Sequence, residues 1–403
     1  MLAPETTRRL APLPLLLAAA LVSGCGMTPP QGPPSGGPQA TTPGLRPGYV
    51  PERRHATASL RETWQLAGTT VDIAFIAPES REKTPLLIYL PGLGESAAAG
   101  RAWRQAWAEA GYAVLSLQPA ELGETAWSRL PAEEGRNAEA RDRARRSNLD
   151  RRDRVREQYA APALSRRLAL VAQAVAEIDR RAAGQPLYGR ADSSHLALAG
   201  YDIGAQTAAA LAGEQVSRGA LPPPLALEAA ILLSPHVELA AGTGRARFAA
   251  MKLPVLSVTG SEDDDPDGLV GTPALRRTPW QGMPPGDKYL LLLENGIHAT
   301  LAGSDNGPEG GRRIVGGRQA PPDGQRAMPF GGPPGGGPGG DGGGPETFRR
   351  SAAAGTDSRH AQAVQTVTTA FLDAVVRNAP VADEWLRRDA TRWLGDSATL
   401  WMR

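Results

Sequence analysis

The stretch Leu196-Ala197-Leu198-Ala199-Gly200-Tyr201-Asp202-Ile203-Gly204-Ala205 decides how this chain folds. Its apolar start reads as a short buried strand, and the run from Ala205 to Glu214 reads as a helix. Between them, Gly200 and Gly204 bracket one acidic residue. When a strand passes into a helix over so few residues, the two backbones run close together and leave no room for side chains at the flanking positions. Such a bend holds the residue at its tip, here Asp202, clear of both backbones at a strand end, which is where a nucleophile is displayed.

Outward from the bend, strand patterns alternate with helical ones. Thr69 to Ala77 alternates, with Val71, Ile73 and Phe75 on one side and Thr70, Asp72 and Ala74 on the other. Pro85 to Leu90 is continuously apolar, as in the buried middle of a parallel sheet. Ala97 to Ala110 reads as a helix closed by Gly111, and Tyr112 to Leu117 as the next strand. Leu168, Val171, Val175 and Ile178 form one stripe of a helix over Leu164 to Ala183. Ala229 to Leu233, Pro254 to Val258 and Lys288 to Leu293 are three further strands, and Val364, Val367, Phe371 and Val375 mark a helix from His360 to Arg377. This alternation predicts an α/β fold with a doubly wound, mostly parallel sheet in a single domain, residues 55–303 completed by C-terminal helices from 356–403. Residues 121–167 are crowded with Arg, Glu and Asp and read either as a charged helical surface or as a cap over the site. Residues 304–355 hold a Gly/Pro tract that cannot build a core and read as a disordered insertion.

Position after strands picks out the remaining site residues. Thr259-Gly260-Ser261-Glu262-Asp263 follows one strand, and Glu294-Asn295-Gly296-Ile297-His298 follows the last. Of five His in the chain, His298 alone stands after the final strand of the series, the place of a catalytic base. The matching acid lies after the earlier of these strands, and the resemblance described next implies that it is Asp263. The backbone N–H of Ile203, next to the bend, and that of Leu93 in Pro91-Gly92-Leu93-Gly94-Glu95-Ser96, with Gly94 as second choice, are the candidate oxyanion donors.

Leu90 to Ser96, Ala199 to Thr207, Thr259 to Asp263 and Gly296 to His298 together resemble bacterial α/β-hydrolases of the dienelactone hydrolase and platelet-activating-factor acetylhydrolase-like group, over Pro85 to Ser304 and the tail from His360. The resemblance implies the α/β-hydrolase fold, hydrolysis of a small organic substrate, and a triad at Asp202, Asp263 and His298. Its members attack esters with Ser or Cys, whereas this chain has Asp202. A carboxylate is already ionised at neutral pH, with an ordinary pKa of about 3.9, and its attack on an ester would give an anhydride. Asp suits a saturated carbon bearing a halide or an epoxide oxygen, with His298 activating the water that cuts the resulting ester. Trp127 and Tyr159 are the candidate leaving-group residues from the charged segment. Three readings stay open: a working Asp202 nucleophile, a catalytically inactive site that binds a ligand or envelope partner (a pseudoenzyme), and attack by another group, either water on His298 or Ser234.

Composition bounds the rest. A net charge of +2 argues against a nucleic-acid partner. No His/Cys cluster or phosphate-binding loop is present, so neither a metal nor a cofactor is expected. Arg8 and Arg9 precede an apolar run, Leu10 to Val22, too short for a membrane span. Val22-Ser23-Gly24-Cys25 then has the pattern of a lipoprotein signal peptide (residues 1–24), with the chain's one cysteine as the acylated residue. Residues 25–54, rich in Pro and Gly, read as a flexible tether. The expected address is the cell envelope, lipid-anchored at Cys25, on the periplasmic face of the outer membrane.

Overall fold

The computed structural model describes residues 48–127, 138–215, 225–237, 245–303 and 345–403. The signal peptide, Cys25, most of the tether and residues 304–344 of the Gly/Pro insertion lie outside the described residues. Arg46 to Arg403 form one unit of contacts.

Nine strands make one sheet: β1 (Thr57–Leu66), β2 (Thr69–Pro78), β3 (Thr84–Leu90), β4 (Ala113–Pro119), β5 (Ala191–Tyr201), β6 (Leu227–Leu233), β7 (Val255–Glu262), β8 (Lys288–Ile297) and β9 (Ala398–Met402). Their order is β1-β2-β4-β3-β5-β6-β7-β8-β9. β3 to β8 run parallel to one another, while β1, β2 and, at the far edge, β9 are antiparallel additions. The helices are α1 (Arg101–Glu109), α2 (Glu124–Trp127), α3 (Ala138–Tyr159), α4 (Ala161–Arg181), α5 (Ile203–Leu211), α6 (Arg245–Phe248), α7 (Thr278–Gly282), α8 (Pro345–Val375), α9 (Pro380–Arg388) and α10 (Ala390–Leu394).

Side chains alternate across a strand, so the sheet feeds two cores. Leu87, Tyr89, Ala197, Ala199, Ile231 and Leu233 pack with Trp103 and Trp107 of α1 and with Val364, Val367 and Phe371 of α8. Leu86, Ile88, Leu196, Leu198, Ala230 and Leu232, one residue out of phase, pack with Val171, Ala174 and Ile178 of α4 and with the alanines of α5. Helices thus cover both faces. The C-terminal segment, expected to be helical, also supplies β9, which carries Trp401 along the β8 edge. β1 was not expected. It is an edge strand with Ser59, Arg61, Thr63 and Gln65 on an exposed face, and charged Glu62 interrupts the apolar pattern of the other.

The strand order matters for the site. β4 lies on one side of β3 and β5 on the other, so the loops leaving the carboxyl ends of β3 and β5 diverge and open a crevice, the usual ligand position in such sheets. Gly92 to Glu95 leaves β3 there, and Asp202 leaves β5.

Candidate active site

Asp202 stands between β5 and α5 at φ 53° and ψ −110°, a conformation seldom tolerated by residues with a Cβ. Its N–H donates to Leu233 O at the end of β6, 3.0 Å away, which pins the bend to the sheet. The flanking glycines are needed for contact reasons: a methyl on Gly204 would lie 2.6 Å from the Leu90 carbonyl carbon, and one on Gly200 would lie 2.7 Å from Ala205 N. The bend keeps Asp202 partly open to the crevice while Tyr201 and Ile203 beside it are buried.

Asp263 and His298 come together as the sequence spacing predicts. His298 Nδ1 is 2.8 Å from Asp263 Oδ1. A carboxylate only accepts, so Nδ1 carries the proton and Nε2 is left as the basic nitrogen. Asp263 is fully buried and also accepts from Thr259 Oγ1 at 2.7 Å and Ser234 Oγ at 2.8 Å. Burial alone would raise its pKa. The His298 hydrogen bond, the Arg276 and His298 charges and the Thr259 hydrogen bond outweigh that and hold it below the ordinary value. For His298, burial pulls the other way, yet the Asp263 hydrogen bond and the Asp202 and Asp263 charges win, and its pKa is raised above 6.5. The Asp202 charge therefore acts on the imidazole. Tyr201 fixes the His298 backbone by donating from its hydroxyl to His298 O, 3.1 Å away.

Arg276 is a site residue that the sequence reading missed. Its side chain is wholly buried, 3.2 Å from Asp263 Oδ1, and donates to the carbonyls of Asp263 (2.9 Å), Ser234 (3.1 Å) and Pro235 (3.2 Å). No sequence signal separates it from its neighbour Arg277. Ser234, weighed as an alternative nucleophile, is fully buried, and its Oγ donates to Asp263 on the Nδ1 side of His298. It serves the acid and is not displayed to the crevice.

The amides after β3 divide clearly. Gly94 N–H donates to Leu122 O at 2.8 Å, and Gly92 N–H to Glu95 Oε2 at 2.7 Å. Among the described residues the N–H groups of Leu93 and Ile203 take no partner, so of the three donors expected these two are open to a bound oxygen. Gln118 Nε2 fixes this loop by donating to Gly92 O (2.8 Å), Glu95 O (3.0 Å) and Leu122 O (3.2 Å). Glu95 is a second missed residue. Burial, with the Asp202 charge adding, raises its carboxyl to about 7, against the Gly92 N–H and His298, which lower it.

The charged segment closes over the bend. Trp127, Val155 and Tyr159 pack on Ile203, with Leu93 and Leu269 beside them. Arg154 lies over the Trp127 ring at 4.8 Å and Arg152 donates to Gly268 O at 2.6 Å, so α3 is tied to α2 and to the loop after β7. The end of α3 is held from below: buried Arg167 donates to Gln158 O (2.6 Å), Gln206 Oε1 (2.6 Å) and Thr207 Oγ1 (2.9 Å), and Gln206 Nε2 donates to Tyr159 O (3.0 Å). This sets the Tyr159 hydroxyl against Asp202. Burial first, then the Asp202 charge and the hydrogen bond to it, hold the phenol well above its ordinary pKa of 10. Beside Tyr159 a cavity of about 90 Å³ is lined by Arg152, Arg156, His236, Gly268 and Leu269.

Among the described residues no three His, Cys, Asp or Glu side chains form a metal-binding group, and no helix is long and apolar enough to cross a membrane. No protein-family model matches the chain. No curated protein matches it either.

Proposed function

We propose that the chain is a hydrolase with the α/β-hydrolase arrangement and that it opens a small alkyl electrophile, an epoxide or a haloalkane, through an ester on Asp202. The observation that carries this reading is the carboxylate on a strained bend within reach of both the Tyr159 hydroxyl and a paired imidazole, His298.

The chemistry follows from what each group carries. Asp202 needs no base to become nucleophilic. In-line attack on a saturated carbon forms the Asp202–carbon ester and expels the leaving group. The N–H groups of Ile203 and Leu93 hold the carboxylate oxygen that does not attack, and later hold the oxyanion formed when that ester is hydrolysed. His298 Nε2 takes the proton of the attacking water, and Asp263 stabilises the imidazolium. Asp263 itself stays ionised, because Arg276, Thr259 and Ser234 all favour its charge. Envelope anchoring belongs to the same proposal and rests on Val22 to Cys25; the mass of the mature N-terminal peptide tests it, since acylation adds to Cys25 alone.

A single turnover in heavy-oxygen water tests the site. Labelled oxygen in the Asp202 peptide is expected with 1,2-epoxybutane or 1-chlorobutane. Turnover without label points to water attacking the substrate directly. No turnover on either class, nor on simple esters, leaves the inactive binding site as the reading.

A further inference from the structure

We propose that the Tyr159 side chain is a gate on the Asp202 carboxylate, with two positions: one with its hydroxyl on Asp202, as in this structure, and one with its ring turned into the cavity beside it. The gate governs access to that carboxylate, so it operates whether Asp202 reacts or only binds. The closed position is directly visible. The Tyr159 hydroxyl donates to the Asp202 carboxylate. Its residue is 7% exposed and packs with Trp127 and Val155 on Ile203, next to the bend. A ligand that needs the carboxylate oxygen held in this way must first displace the phenol.

The main chain is poorly suited to make that change. Arg167 donates to Gln158 O at 2.6 Å, and Gln206 Nε2 donates to Tyr159 O at 3.0 Å. Arg167 and Gln206 are both buried and are joined to each other at 2.6 Å. Together they tie the last two residues of α3 to α4 and α5. Moving this backbone would leave a buried guanidinium and a buried amide short of acceptors, which is costly. Turning the Tyr159 side chain about χ1 and χ2 breaks none of these bonds. It gives up only the bond to Asp202.

A buried ring usually has nowhere to go, because interiors are close-packed. Tyr159 differs. With Arg152, Arg156, His236, Gly268 and Leu269 it lines the cavity of about 90 Å³, and Asp202 is not part of that lining. Turning into the cavity therefore takes the hydroxyl away from Asp202. The ring empties the volume beside Asp202 as it turns, so the cavity need not hold the whole phenol. His236, face to face with Tyr159 at 3.9 Å between centroids, gives the ring a flat wall to slide along. The rim also offers the hydroxyl new partners. Arg152 spends one guanidinium nitrogen on Gly268 O and Arg156 one on Asp153, which leaves each with further N–H donors. The phenol thus exchanges an acceptor in the closed position for donors in the open one. A ligand that contacts Asp202 only when the ring is turned away shifts the population toward the open position.

The test needs no substrate. A water-soluble carbodiimide couples glycinamide to accessible carboxyls, and the mass of the Asp202 peptide reads the rate at that residue, with exposed Glu82 as the internal reference. Tyr159→Phe keeps the ring without the closing bond and is expected to speed modification of Asp202 at least threefold; a rate equal to wild type overturns the gate. Leu269→Trp fills the cavity and is expected to slow modification at least threefold, because the ring loses its second position. An unchanged or faster rate in that variant, once its circular dichroism matches wild type, overturns the open position. A measurement on wild type is independent of how either variant folds. The Tyr159 ring carbons, assigned by their loss in Tyr159→Phe, are expected to show exchange on the microsecond-to-millisecond scale in relaxation-dispersion spectra. A flat dispersion profile for that ring overturns the two-position gate, while label entering Asp202 from heavy-oxygen water would still support the hydrolase reading.

Discussion

The Asp202 backbone makes a prediction that separates strain from chemistry. At φ 53° and ψ −110° the residue occupies a region that costs a side-chain-bearing residue about 1–3 kcal/mol. Asp202→Ala and Asp202→Gly both delete the carboxylate and its contact with Tyr159, so those losses cancel between the two variants. Ala keeps the strain. Gly is free of it but gives up about 0.5–1 kcal/mol more backbone entropy on folding. Taking the middle of each range, strain of about 2 less entropy of about 0.75 leaves the Gly variant more stable by roughly 1 kcal/mol. Equilibrium unfolding in urea reads this as a higher midpoint at equal slope. An Ala variant as stable as the Gly variant, or more so, would refute the account of the bend as a strained display of Asp202.

Three further outcomes are expected. His298, raised above 6.5 while Asp202 is charged, must be neutral to take a proton from water, so hydrolysis of the Asp202 ester should be lost as pH falls and the imidazole takes up a proton; a kcat profile flat from pH 5 to 8 argues against this base. For stability the same raised pKa has the opposite sense, contributing fully below 6.5 and fading as pH rises through the folded value. Glu95 ionises near 4.5 when unfolded but near 7 when folded, so its share of stability also declines across that window, by about 3 kcal/mol, and Glu95→Gln should flatten the urea midpoint between pH 4.5 and 7.5. Arg276→Met removes the buried cation beside Asp263 and leaves that charge without its match; a loss of about 3–5 kcal/mol is expected, and a change below about 1 kcal/mol in urea unfolding rules out the pairing.

The sheet was legible because its central strands are buried on both faces. Leu86 to Leu90 and Ala229 to Leu233 are continuous apolar runs, and the bend at Gly200 to Gly204 allows few other residues. The edges were not legible. β1 and β9 each show one face to solvent, so polar residues interrupt them, and their place is set by pairing with β2 and β8. The same division holds at the site. Asp202, Asp263 and His298 follow strands, and strand ends can be counted along a sequence. Arg276 and Glu95 could not be found that way, because what sets them apart is burial beside groups distant in the chain: Arg276 on Asp263, and Glu95 near Asp202.

That division has a chemical reason. With Ser at the tip of the bend, the critical proton is the one the nucleophile must lose, and the triad spaced along the strand ends handles it. On the proposed reading Asp202 is already ionised, and the need for a proton moves to the leaving atom. Groups meeting that need must come from above the sheet. Tyr159 comes from that side, carried by a charged segment from which Trp127, Val155 and Tyr159 pack on Ile203. Its placement is bought with buried polar contacts: Arg167 and Gln206 satisfy the carbonyls of Gln158 and Tyr159 at the end of α3, where a helix otherwise leaves acceptors open. Burial lowers the Arg167 pKa to about 10, so the guanidinium stays charged and the clamp holds throughout the pH range in which His298 changes state. Two buried arginines thus hold the surroundings of Asp202: Arg167 the end of α3 that carries Tyr159, and Arg276 the Asp263 carboxylate that pairs with His298.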